Sequence, residues 1–172
     1  PFEQEKKYGA EVVRFYLLSG IATFADSVYK EDDLVNMYNS RLANNFGNLL
    51  NRVIHLSNMK EVEINDETKV SEEFRKDIEK YIENIENYYN DYEIASASEK
   101  VDELADYGNK YITEKEPWSK DISKEDSQVI LNNLSYLLSF VIKYYKPIIP
   151  ISANKAEEAL QKKESIILFN KL

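Results

Sequence analysis

Leu34, Tyr38, Leu42, Phe46, Leu49, Val53 and Leu56 recur at steps of three or four residues. A stripe of that period over more than twenty residues is the signature of one long amphipathic helix, expected over residues 30–57. The same period continues through most of the chain. Residues 2–19 form a first helix carrying Val12, Val13, Phe15, Leu17 and Leu18, broken by Gly20 and the segment through Asp26. After a polar loop over 58–70, Ser71 caps a third helix running through Phe74, Ile78, Tyr81, Ile85 and Tyr88 to Tyr92. A fourth over 94–113 ends before Pro117, which cannot continue the backbone ladder. Ser123 with Asp126 opens a fifth helix, which Pro147 and Pro150 stop, and Ser152 caps a shorter sixth through Leu160.

Helices this long on short connections pack antiparallel. The expected fold is all-α: an up-and-down bundle of the second to fifth helices, flanked by the first and last. With only 4 Gly and 4 Pro and 43% hydrophobic residues in 172, a disordered or turn-rich all-β chain is excluded. The division expected is residues 1–29 as a linking helix and connection, and residues 30–172 as the bundle. The 13 tyrosines should fill the core with their hydroxyls at its rim.

Composition removes many chemistries. Without Cys there is no disulfide, thiolate metal site or cysteine nucleophile, and one His cannot build a multi-histidine centre, so no metal is expected. This suits a reduced, cytoplasmic chain. No apolar run approaches the roughly 18 residues of a membrane span, and a proline followed by a charged helical segment is no signal peptide. The chain reads as part of something longer. A net charge of −9 argues against a nonspecific nucleic-acid binder, so neither DNA nor a membrane is an expected partner. A reader of a few bases remains compatible with it.

Chemistry concentrates in the second helix. By composition residues 34–60 should hold about five acidic residues. They hold none, and carry seven Asn and two Arg instead, although Asn is a poor helix former. At 100° per residue Arg41, Asn44, Asn45, Asn48, Asn51 and Arg52 fall opposite the apolar stripe. Such a face pairs donors with acceptors without repelling phosphate, which reading unpaired base edges requires. Asparagines bonding neighbouring loops account for the window equally well. Trp118, the only tryptophan, follows Pro117 at a helix end, where a base can stack on it, although a lone Trp is more often a core plug. His55 has no companion ligand and reads as structural or solvent-facing. The glutamates of the third helix read as a solvated face, and no glycine-rich loop is present to cradle a nucleotide.

The strings KYGAEVVRFYLLS (7–19), LVNMYNSRLANNFGNLLNR (34–52), NKYITEKEPW (109–118) and YKPIIPISANKAEEAL (145–160) resemble, in order and spacing, the carboxy-terminal part of methionyl-tRNA synthetases. The first is shared loosely by several class I synthetases. LANNFGNLLNR followed by the Pro-Trp segment is characteristic of the methionine enzyme and separates it from synthetases for other large aliphatic amino acids. The resemblance implies an anticodon-binding helical bundle that selects methionine tRNA through its CAU anticodon loop. It also implies a parent chain whose catalytic domain joins methionine to tRNA with ATP, this part needing no cofactor. It places Asn44, Asn48, Arg52 and Trp118 at the anticodon, Trp118 stacking a base and Pro117 fixing the tryptophan, with Arg41 and Asn45 as supporting neighbours. The sequence departs from the family pattern in FADSVYKEDD (24–33), where Lys30 stands in place of a capping Ser. HIGH and KMSKS motifs are absent, so these residues should form no methionyl-adenylate. The alternative is a helical docking or structural bundle that has lost RNA binding. Convergence of Asn48, Arg52 and Trp118 on one exposed patch distinguishes the two.

Overall fold

The computed structural model describes residues 2–21 and 29–172, and among them every regular element is helical. The break expected through Asp26 and much of the connecting segment fall outside the described residues.

The expected first helix is two: α1 (Phe2–Tyr8) and α2 (Ala10–Ser19), separated at Gly9. Gly9 adopts φ 88°, a left-handed region that glycine enters without steric cost, so the ladder stops and restarts there. Helix α2 buries Phe15 edge-on against Tyr145, with ring centroids 6.2 Å apart.

Residues 31–59 are continuously helical, as α3 (Glu31–Met37), a π-helical stretch (Tyr38–Gly47) and α4 (Asn48–Met59). The wide middle has a physical reason in the spacing. Leu34, Tyr38, Leu42 and Phe46 are separated by steps of four, and each such step over-rotates about 40° in an ordinary α-helix. The broader π turn rotates less per residue, so its steps of four offset that drift, and all four side chains are held against one core. Lys30 stands at the N-cap of α3 and makes no side-chain cap. Glu31 instead accepts from Lys7 (2.6 Å) and the Tyr8 hydroxyl (2.5 Å), tying α1 to this helix.

The expected caps hold at two helices. Ser71 Oγ accepts from Phe74 N at the start of α5 (Glu72–Asn90), and Ser123 Oγ accepts from Asp126 N at the start of α7 (Lys124–Tyr145). Between them α6 (Ile94–Lys115) ends at Glu116, whose φ of 45° turns the chain into Pro117. Ser152 does not cap the last helix. α8 (Pro150–Lys162) begins two residues earlier with Pro150 at its first position, and Ser152 lies inside the first turn. Glu11 of α2 supplies the missing acceptor, taking bonds from Ile151 N, Ser152 N and Ser152 Oγ.

Helix α7 is the centre, packed by α4, α5, α6 and α8, with Leu131, Leu134, Leu137, Leu138 and Val141 fully buried. Each contributes about 1.5 to 3 kcal/mol of burial. Gly108 lets α6 approach α4, because a Cβ there would lie 2.7 Å from Leu49 Cδ2. Two buried asparagines on α7 hold the 61–71 loop: Asn132 accepts from Asp66 N and donates to Glu63 O, and Asn133 accepts from Ser71 N and donates to the Tyr111 hydroxyl. The tyrosine expectation has an exception, since Tyr145 is buried completely and its hydroxyl has no partner among the described residues. After α8 the tail runs back along the π-helical stretch. Phe169 packs against Tyr38 and Phe46, and Asn39 pairs in both directions with the backbone of Leu172.

Candidate nucleic-acid interface

The apolar stripe of the π-helical stretch and α4 is buried as its spacing predicts, from Tyr38 to Leu56. The opposite face divides. Arg41 and Asn45 turn toward α6 and are consumed there. Arg41 Nη2 donates to Ser98 Oγ (2.9 Å), its Nε lies 3.5 Å from Asp102 Oδ2, and its guanidinium stands 5.4 Å over the Phe15 ring. Asn45 Nδ2 donates to Asp102 O (2.9 Å) and Oδ1 (2.6 Å). Asn39 and Asn58 likewise bond backbone carbonyls of Leu172 and Lys163. Asn39 and Asn58 thus make the loop bonds of the second account, whereas Asn45 bonds a neighbouring helix.

Asn44, Asn48 and Arg52 line an open groove between this helix and α6. Asn44 and Asn48 are exposed and Arg52 is half-buried. Arg52 Nη2 donates to Thr113 Oγ1 (3.1 Å), and its Nη1 donates to Asn109 Oδ1 (3.3 Å). Asn48 Nδ2 donates to the same Asn109 Oδ1 at 3.1 Å. Burial lowers the Arg52 guanidinium from its ordinary value, yet a guanidinium stays cationic in proteins. It stands 5.8 Å over the ring of Trp118, which is 40% exposed.

Trp118 is presented by the turn after α6. Glu116 in the left-handed region reverses the chain, Pro117 is buried beneath, and Ser127 Oγ donates to the Pro117 carbonyl (3.4 Å). Lys60 Nζ closes the turn by donating to Ser119 O (2.9 Å). Asn48, Arg52 and Trp118 thus converge on one accessible surface, with Asn44 along the same groove and Pro117 as its footing.

One expectation needs correction. Residues 34–60 carry no acid, but the groove's other wall, α6, carries Asp102, Glu103, Asp106 and Glu114. Arg41, Lys100 and Lys110 pair the first three, and Glu114 has no ion pair among the described residues. A groove so lined admits a base edge more readily than a phosphate. His55 is exposed on α4, and Glu72, Glu73, Glu79, Glu83 and Glu86 of α5 all face solvent.

Residues 63–168 match the family model described as the anticodon binding domain of methionyl tRNA ligase, and residues 1–54 match that of class I tRNA synthetases (M). The chain belongs to the methionyl-tRNA ligase family. Among relatives, the methionine–tRNA ligase of Caldanaerobacter subterraneus is 30% identical across the whole chain, which covers 28% of that protein. Those of Ureaplasma parvum (28% over 96% of the chain, 33% of the relative) and Lactococcus lactis (34% over 78%, 21% of the relative) are similar. The chain therefore spans about a third or less of these methionine–tRNA ligases. The Mycobacterium tuberculosis methionyl-tRNA synthetase solved with methionyl-adenylate superimposes with a TM-score of 0.79 over 96% of this chain and 35% of that one. At 20% identity this shows a shared fold.

Sequence reasoning missed Asn109 and Thr113, both partners of Arg52 in this methionyl-tRNA ligase segment. Asn109 heads the string NKYITEKEPW, and the step from Asn109 to Thr113 places both on one face of α6.

Proposed function

We propose that this chain reads the anticodon of methionine tRNA as the non-catalytic part of an ATP-dependent methionine–tRNA ligase acting in the cytoplasm. In this reading residues 1–29 connect the bundle to the catalytic domain, which activates methionine outside these residues. The observation that carries it is the meeting of Arg52, Asn48 and Trp118 on one exposed surface, which a docking bundle has no reason to assemble. A base splayed from the anticodon loop stacks on the free face of Trp118, and Arg52 and Asn48 bond its edge. A wrong base leaves a groove-facing N–H of the guanidinium or the outward end of the amide without a partner, which turns hydrogen-bond geometry into selection.

Neither membrane nor DNA has a place in this reading; among the described residues no helix is long and apolar enough to cross a membrane. Binding of the chain to methionine tRNA with its CAU anticodon, compared with the same tRNA altered at the first anticodon base, tests the proposal. The expected result is a clear preference for CAU. Equal affinities overturn it.

A further inference from the structure

We infer that Asn109 is a positioning residue that sets the hydrogen-bond direction of the reading surface, turning the Asn48 carbonyl oxygen outward so that the site demands a base carrying an amine donor. The inference rests on the function proposed above and deepens it.

The direction follows from groups that can only accept. Asn109 Nδ2 donates to the backbone carbonyls of Asn45 (3.2 Å) and Ala105 (3.3 Å) and to Asn45 Oδ1 (2.9 Å). A backbone carbonyl has no proton to give, so the nitrogen of the Asn109 amide must face that side. Asn45 is oriented by the same logic one step earlier, because its own nitrogen is held by the Asp102 carbonyl and carboxylate. Asn109 Oδ1 is left pointing into the groove. There it accepts from Asn48 Nδ2 (3.1 Å) and Arg52 Nη1 (3.3 Å).

Asn48 has one donor end and one acceptor end. One N–H of its nitrogen bonds Asn109, which turns that end inward and Oδ1 outward, and Oδ1 has no protein partner among the described residues. Beside it Arg52 offers only donors. The surface therefore presents an acceptor next to donors, whose complement is an amine next to ring and carbonyl acceptors. Cytosine carries its N4 amine, N3 and O2 in that order. Uracil places a carbonyl where the amine should be and a proton on N3, so it meets the surface acceptor to acceptor and donor to donor. Without Asn109 the Asn48 amide is free to rotate and offer its nitrogen to the uracil carbonyl.

The test uses anticodon stem-loop RNAs that differ only in cytosine or uracil at the first anticodon position, titrated against the wild-type chain, Asn109→Ala and Asn109→Asp. Wild type should prefer the cytosine loop on the order of 10- to 100-fold. Asn109→Ala should narrow that ratio to within about threefold while the chain stays helical. Asn109→Asp keeps acceptors toward Asn48 and Arg52 but loses its donor to Asn45, so it should melt lower yet retain the wild-type ratio. In the free protein the Asn48 side-chain amide protons should exchange faster in Asn109→Ala than in wild type. A retained preference in Asn109→Ala, an equal loss in both variants, or unchanged amide exchange overturns the role of Asn109. Absence of preference in the wild type overturns the proposed function, and this inference with it.

Discussion

Truncating Trp118 to alanine separates binding from folding, and the structure sets the size of each effect. The ring keeps 40% of its surface open and sits on a surface turn, with Pro117 buried below it. Removing a fully buried large side chain costs about 3 to 5 kcal/mol, much of it from a sealed cavity. Here solvent closes over the site, so the loss is on the order of 1 to 2 kcal/mol, with about 0.5 kcal/mol more for the Arg52 guanidinium that stands over the ring. In a chain of 172 residues that lowers Tm by about 3 to 10 °C, well short of unfolding at 25 °C. The stacked base loses about 1 to 3 kcal/mol, a roughly 5- to 150-fold weaker complex. Trp118→Phe should recover most of the stability and part of the affinity. Paired measurements decide it: thermal melts by circular dichroism, and titration with a CAU anticodon stem-loop. Because Trp118 is the sole tryptophan, its fluorescence in the wild type reports the same event and should change on adding the loop. Affinity within twofold of wild type in a folded Trp118→Ala, or emission unmoved at saturation, refutes the stacking role.

Three further outcomes follow from the same geometry. Arg41→Met strips the partner from Asp102, whose carboxyl burial already pushes above its ordinary value. It should cost about 3 kcal/mol of stability by denaturant titration while leaving the cytosine-over-uracil ratio intact. Arg52→Gln reverses that pattern, costing about 1 to 3 kcal/mol of anticodon binding in the same titrations with only a few degrees of Tm. Burial pushes the Tyr89 phenol, which donates to Tyr144 O at 2.6 Å, up to about 12. The unfolded chain ionises near 10, so this stability is present below pH 10 and lost as pH rises to 12, on the order of 2 kcal/mol. Melts from pH 9 to 12 should fall less steeply for Tyr89→Phe than for wild type.

Local chemistry was legible wherever a residue's role depends on near neighbours in the chain. The apolar stripe from Leu34 to Leu56, the Ser71 and Ser123 caps and the stop before Pro117 all follow from spacing within a turn or two of helix. The errors were of the same kind. Gly9 splits the first helix where its periodicity runs on, and a uniform 100° per residue hides the π-helical stretch from Tyr38 to Gly47. Ser152 looked like a cap because the acceptor that serves α8, Glu11, lies 141 residues away.

The division of the polar face is a different matter. Arg41, Asn45, Asn48 and Arg52 follow one another on a single helix and are alike in sequence, all polar and all opposite the core. Arg41 and Asn45 meet Ser98 and Asp102 and are tied down, whereas Asn48 and Arg52 meet Asn109 and Thr113 where the groove opens toward Trp118. These partners lie 57 to 61 residues away. Their identity depends on how closely α6 approaches, which Gly108 permits by leaving room for Leu49. Sequence by itself determined which residues are polar, which face they share and where α5 and α7 begin. Tertiary packing decided which of those polar groups spend their hydrogen bonds inside the protein and which keep one for a base, because a donor or acceptor is free only when no neighbour from another helix has claimed it.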